Sequence, residues 1–333
     1  MIIVNSYALA VFLCIITMFC WGSWGNTQKL AGCRWRYEFF YWDYVIGILL
    51  LGLLAGLTLG SFGTQGRHFL TDLQQAEVGN ILSALAGGVI FNAGNILLAA
   101  SVSIAGMSVA FPAGVGIALI LGVIINYAAT PKGDPLFLFT GVAMIAAAII
   151  MNALAYRLKE KDGQKPPFKG IVLAVTGGVL MAFFFRFTAA AMDVSNFAAP
   201  AAGKMTPYSA FFVFAAGIFL SNFVFNTLAM RYPVKGDPAN GMDYFKGTLP
   251  VHLVGVLGGL IWGTGNVLSL IAANKAGAAI SYGLGQGATL IAALWGILVW
   301  REFRGAPIIS HILNAAMFLV FLTGLGFLIK AGQ

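Results

Sequence analysis

Charge is scarce in this chain: Asp, Glu, Lys and Arg make up only 9% of its 333 residues, against about a quarter in an ordinary soluble domain. A soluble bundle of core helices would need polar faces between its apolar runs, and those are missing. Cysteine is scarce too. Cys14, Cys20 and Cys33 show neither paired spacing nor a metal-ligand pattern, so they read as small buried apolar side chains. The three histidines, His68, His252 and His311, fall at loops or helix ends, and no His-Glu-x-x-His stretch or paired carboxylates lie inside an apolar run. An intramembrane enzyme, which needs such a set or a nucleophile with its base, is the distant alternative. ATP-driven transport would need a nucleotide domain that the sequence does not have. Neither a cofactor nor a metal ion is expected.

What the chain has in abundance is long apolar segments, with hydrophobic residues at 59% of all positions. Runs of spanning length lie at about 7–25, 40–59, 78–99, 107–128, 136–156, 170–191, 208–229, 251–272, 278–300 and 308–330. The first has no basic leader or cleavage site before or after it, so it reads as a retained helix. The fold class is therefore all-α: a polytopic membrane protein with ten transmembrane helices.

The segment Gly87–Gly122 is repeated 171 residues later, at Gly258–Ala293, with twelve of 36 positions identical and no gap. Both copies are two helix-length apolar stretches joined by a hinge ending in Ala-Gly (Ala105-Gly106 and Ala276-Gly277). The duplication divides the chain into a first five-helix repeat at 1–156, a hydrophilic linker at 157–169 and a second repeat at 170–333. Five is odd, so the second repeat enters the membrane in the opposite sense. This predicts an inverted 5+5 repeat, an architecture of secondary transporters.

The net charge of +8 does not call for nucleic acid, because loop cations orient a membrane protein. With the N-terminus outside, thirteen Lys and Arg fall in inner loops and five in outer ones. The bias predicts both termini on the extracytoplasmic side of a cytoplasmic (inner) membrane. Monomer and homodimer are equally compatible with the sequence.

Candidate site residues are those that break the apolar pattern. At the end of the first helix, Trp21 and Ser23, with Trp24 and Asn26 beyond them, mix aromatic, hydroxyl and amide groups among glycines that loosen the helix. An indole face beside a hydroxyl suits a sugar or heterocycle; the bland account is an interfacial tryptophan belt. Asp43 lies about one turn inside an apolar run, where a carboxylate either has a partner or snorkels. The Gly-Asn pairs Gly94-Asn95 and Gly265-Asn266 recur in the repeat and suit interhelical bonding. Around them the copies differ, so Asn92, Trp262 and Thr264 are the better candidates for an asymmetric site. Tyr282 and Gln286, one turn apart in a kink-prone helix whose counterpart carries Pro112, are placed to face one cavity. Asn222 and Asn226 share a face of the seventh helix. Arg186 is the one cation deep in an apolar run; it is expected either to snorkel or to serve the cavity, with Asp193 or Asp43 as its charge partner.

The ten-helix inverted layout resembles the drug/metabolite transporter superfamily. Within it, Gly22-Ser23-Trp24 followed by Tyr41-Trp42-Asp43-Tyr44 resembles the ureide permeases and the related glucose-uptake and rhamnose permeases. Gly25 stands where a plant ureide permease is expected to have proline, and the central loop is shorter than theirs, so sugars and nucleoside-like solutes stay as open as ureides. The resemblance implies a secondary transporter that takes up a small polar solute, with H+ as the coupling ion. An exporter of amphipathic compounds is the rival; it would favour an apolar cavity over this set of Asn, Thr and Ser.

Overall fold

The computed structural model describes residues 1–32, 35–159 and 167–333. Cys33, Arg34, Lys161, Lys165 and most of the linker lie outside the described residues. The described chain is almost wholly helical, and ten helices are long and apolar enough to cross a membrane. They are α1 Tyr7–Ala31, α2 Tyr37–Leu57, α3 Val78–Ala105, α4 Phe111–Ala129, α5 Pro135–Lys159, α6 Phe168–Ala190, α7 Pro207–Arg231, α8 Leu249–Ala276, α9 Ala278–Val299 and α10 Ile308–Ala331. Large apolar side chains such as Leu54, Phe183, Leu220, Phe223, Leu319 and Leu322 stay exposed on their flanks. That inside-out distribution is what lipid contact demands, since a lipid-facing surface has no need of charge.

The helices begin and end where local chemistry predicts. Ser6 caps α1 by accepting a bond from the amide of Leu9 at 3.2 Å, satisfying one of its orphan donors. Pro207 and Pro250 occupy first-turn positions of α7 and α8, where the missing N–H is harmless. Both Ala-Gly hinges turn on a left-handed glycine: Gly106 has φ 74° and Gly277 φ 86°, a conformation other residues resist. The kink-prone helices are indeed irregular. A π-helical turn, Phe111–Gly116, opens α4 around Pro112, and α9 breaks at Gln286-Gly287 before ending in a second π turn.

Packing follows the small residues. α3 lies against α6 and α7, α8 against α1 and α2, α4 against α6 and α9, α9 against α1, α2 against α7, and α5 against α10. Exchanging helices one to five for six to ten carries each of these pairs onto another pair in the set. Glycines make the closest approaches possible. Gly88 meets the backbone of α7 at Phe214 and Ile218, and Gly259 meets that of α2 at Tyr44 and Ile48. Gly217 faces the Leu85 carbonyl just as Gly47 faces that of Val256. A Cβ at any of them would collide with backbone, which explains the glycine spacing in α8.

Two faces result. Met1 donates from its amino group to the Gln65 carbonyl at 2.6 Å, Asp134 N to Ala331 O at 2.7 Å and Asn274 Nδ2 to Val194 O at 2.7 Å. These contacts place both chain ends on one face, here the terminal face. The opposite, linker face carries the Lys29–Glu302 ion pair at 2.7 Å and the bond from Arg36 Nη1 to Asp237 O at 2.7 Å.

Candidate functional site

Where α1, α2, α3, α7 and α8 meet, the interior is aromatic. Trp21 and Trp262 stack with ring centroids 5.9 Å apart and planes at 9°. Phe91 lies 4.3 Å from Trp262, Phe214 6.2 Å and Tyr44 6.4 Å, while Trp24 packs on Tyr44 at 4.6 Å. Trp21 reaches this position because Gly265 and Gly285 offer no side chain against its ring. The aromatic pair sought at Trp21 and Trp262 is thus one object, joined from opposite halves of the chain.

Beside it runs a chain of amides and hydroxyls. Asn95 Nδ2 donates to the Tyr41 hydroxyl at 3.1 Å; Tyr41 donates to Asn92 Oδ1 at 3.0 Å; Asn92 Nδ2 donates to Ser221 Oγ at 2.9 Å. Three helices are tied by one relay. Other polar atoms in the interior have no protein partner: Trp21 Nε1, the Tyr44 hydroxyl, Asn266 Oδ1 and both amide atoms of Asn222. Asn222 is fully buried, and an unpartnered buried amide costs about 1–3 kcal/mol. Retaining it makes physical sense where a solute supplies the missing bonds. Asn222→Leu should therefore raise the thermal unfolding midpoint while weakening solute binding; a fall in both would mean the amide is structural.

Several candidates are otherwise engaged. Ser23 Oγ accepts from Trp295 Nε1 at 2.9 Å, and Asn26 Oδ1 from Trp300 Nε1 at 2.6 Å, so both fasten α1 to the end of α9. Thr264 Oγ1 donates to its own helix at Leu260 O, 2.8 Å away. Tyr282 is sealed, its hydroxyl 3.0 Å from Ala118 O and 3.2 Å from Met181 O; Gln286 sits half-buried at the break in α9.

The expected charge pair of Arg186 is not formed. α6 ends at Ala190, so Asp193 lies beyond the helix and turns back on its own loop, accepting from Ser195 Oγ at 2.6 Å and Ala201 N at 3.0 Å. Burial works against ionisation of Asp193, but these bonds hold its carboxyl below the usual range. Asp43 is bound elsewhere. His252 Nδ1 lies 3.0 Å from both of its oxygens, and Tyr244 donates to Oδ1 at 2.6 Å. Burial first, and the bond to Asp43 next, raise the phenol of Tyr244 above its ordinary value, keeping it a donor. Arg186 itself is half-buried and makes no ion pair among the described residues.

A cavity of about 160 Å³ opens at the linker-face ends of α1, α4, α5 and α9, lined among others by Gly25, Asn26, Phe111, Asn152, Ala293 and Glu302. Lys29 and Tyr156 (2.6 Å) both bond Glu302 across it. Burial raises the Glu302 carboxyl, yet the bonds from Lys29 and Tyr156 bring it below its usual value. A depressed folded-state value means this tie stabilises at neutral pH and fades as pH falls through the carboxyl range. Glu302→Gln should lower the unfolding midpoint at pH 7 and make little difference near pH 3, measured by thermal denaturation at both.

Sequence reasoning missed Tyr41, Tyr44, Phe91, Tyr244 and His252. For His252 the only available signal was its place at the start of a span, 209 residues from Asp43.

Among the described residues, ten helices of spanning length around a polar, aromatic interior make this an integral membrane protein. The family profile for ureide permeases matches residues 40–167 and 163–331, and the chain belongs to that family. It is 22% identical to ureide permease 1 of Arabidopsis thaliana over 99% of each chain. A Streptococcus pyogenes serotype M1 protein named for sugar uptake is 23% identical over 88% of this chain and 90% of its own. A crystal structure with 14% identity superposes over 97% of this chain and 96% of its own with a TM-score of 0.58, a likeness of fold alone. The protein is a transporter of small solutes and not an enzyme.

Proposed function

We propose that the protein takes up a small, polar, uncharged solute (a sugar, nucleoside or ureide) across the cytoplasmic membrane by proton-coupled alternating access. One observation carries this reading: the stacked Trp21–Trp262 pair beside the Asn95–Tyr41–Asn92 relay, with Asn222 and the Trp21 indole N–H unpartnered. Flat aromatic faces suit rings, and unpaired amides suit hydroxyls, ureido groups and ring carbonyls. The relay and stack contain no charged side chain, which favours a neutral solute. The relatives named for ureides and for sugar uptake support the same classes. The test is a thermal-shift screen of purified protein against sugars, nucleosides and ureides. Stabilisation by one class, lost in Trp21→Ala, is expected; no shift with any of the three would refute it.

Two further parts belong to this reading. The repeats are inverted and both termini are extracytoplasmic, supported by the exchangeable helix pairs and by the thirteen-to-five distribution of loop cations. Fusion of a reporter at Gln333 that works only in the cytoplasm should stay silent, and activity there would contradict the orientation. Asp43 is the coupling carboxylate, supported by its burial, 2% exposed, with His252 against it in place of a lysine or arginine among the described residues.

A further inference from the structure

The repeated segments in α4 and α9 have the same length and share Gly114/Gly285 and Gly116/Gly287, yet the two ends of the molecule treat them differently. On the linker face, Phe111 is half-buried and borders the cavity of about 160 Å³ together with Met107, Ala292 and Ala293. Moving 171 residues along the duplication takes Phe111 to Tyr282, Met107 to Ala278, and Ala293 back to Gly122. On the terminal face those equivalents are packed shut. Tyr282 is fully buried and Ala278 is 2% exposed. The Tyr282 ring presses on Gly122 so closely that a Cβ there would lie 2.6 Å from Cζ and 2.8 Å from the hydroxyl. The hydroxyl meanwhile bridges to α4 at Ala118 O (3.0 Å) and α6 at Met181 O (3.2 Å).

Helices α1 and α6 keep step with this exchange. Gly258 packs on Thr27 as Gly87 packs on Thr188, and Gly285 meets Thr17 where Gly114 meets Gly178. In that register the cavity-lining Gly25 corresponds to Arg186. One end is therefore open around a phenylalanine and the other closed around a tyrosine, with equivalent neighbours.

We propose that Tyr282 is the closing residue of a gate on the terminal face, and that Phe111 closes the equivalent gate on the linker face when Tyr282 lets go. In the opposite state the Tyr282 ring leaves Gly122, its hydroxyl leaves the Ala118 and Met181 carbonyls, and Phe111 packs towards Ala293. Arg186 then borders the mouth that opens, at the position equivalent to Gly25, whereas the cation of the linker-face mouth, Lys29, is paired with Glu302. Phenylalanine has no hydroxyl to latch with, so the duplication is biased: the state closed at the terminal face holds a hydrogen bond that its mirror state lacks. The proposal rests on the inverted reading of the repeat but not on the identity of the solute.

The test needs no solute. In a variant with Cys14, Cys20 and Cys33 replaced by alanine, single cysteines are introduced at Ala278 (terminal side) or Ala292 (linker-side cavity). Maleimide labelling is then timed in lipid nanodiscs. Position 292 is expected to label faster than 278. Tyr282→Phe keeps the ring on Gly122, and therefore the fold, but removes the latch. It should raise labelling at 278 by roughly fivefold and slow it at 292, the population shift that one net hydrogen bond sustains. Phe111→Tyr should do the reverse. Unchanged labelling in Tyr282→Phe would overturn the proposal. So would a rise at both positions together, which would mean local loosening instead of a two-ended switch.

Discussion

Trp262→Ala is expected to remove solute binding and to destabilise the protein by about 3–5 kcal/mol, the range for deleting a large buried aromatic. The side chain is 5% exposed and touches Trp21, Tyr44, Phe91 and Phe214, which come from α1, α2, α3 and α7. Its loss would empty the point where both halves of the chain meet. Binding and folding are separated by Trp262→Phe, which keeps a ring but forfeits area over the Trp21 face. That variant should fold with a modest fall in unfolding midpoint, yet bind the stabilising solute more weakly by about 1–3 kcal/mol. Calorimetric binding and thermal denaturation on the same preparation provide both numbers. Unchanged affinity in Trp262→Phe and in Trp21→Ala would end the aromatic-platform reading.

The second large effect concerns Asp43. In proteoliposomes, Asp43→Asn should still exchange labelled solute for unlabelled solute but should not accumulate it when a pH gradient is imposed. Three linker-face cations are matched with other carboxylates: Arg36 with Glu38 at 2.9 Å, Lys246 with Asp243 at 2.6 Å, Lys29 with Glu302. Among the described residues only His252 is left to face the carboxylate. An arginine fork would clamp the carboxylate with two parallel hydrogen bonds, whereas His252 meets it through a single ring nitrogen. Tyr44, the next residue, lies on Trp24 and Trp262, so a proton at Asp43 is one residue from the aromatic site. With one proton per solute, each pH unit can drive at most about tenfold accumulation, since one unit is worth about 1.4 kcal/mol. The parent should approach that limit and Asp43→Asn should stop at equal concentrations. Gradient-driven accumulation that persists in the variant would remove Asp43 from the coupling role.

The spans were legible because lipid leaves no choice: without charge or polar faces, a run of about twenty apolar residues has to be a helix. The duplication was legible in α3 and α4 because Gly94, Asn95, Gly106 and Gly114 return unchanged as Gly265, Asn266, Gly277 and Gly285. It was hidden in α2 and α7. There only Gly47, Ile48 and Leu50 match Gly217, Ile218 and Leu220, and the equivalence shows in the carbonyls the two glycines touch. Side-chain partners across helices were the least legible. Nothing within α1 distinguishes Trp21, which stacks on Trp262, from Ser23, which fastens to Trp295 two residues on. Asp193 looked like a helical neighbour of Arg186 only on the assumption that α6 continued past Ala190. Periodicity within a span says which residues share a face, but the partners of that face lie far along the chain, 51 residues from Tyr41 to Asn92 and 272 from Ser23 to Trp295.

The central claim is that a neutral polar solute crosses this protein by way of the Trp21–Trp262 cluster. Counterflow in proteoliposomes tests it most directly, using whichever of labelled glucose, uridine or allantoin stabilises the purified protein most. Saturable exchange in the parent, abolished by Trp262→Ala and sharply reduced by Trp21→Ala at matched protein content, is the predicted result. Exchange that proceeds equally in the parent and in both variants would contradict it.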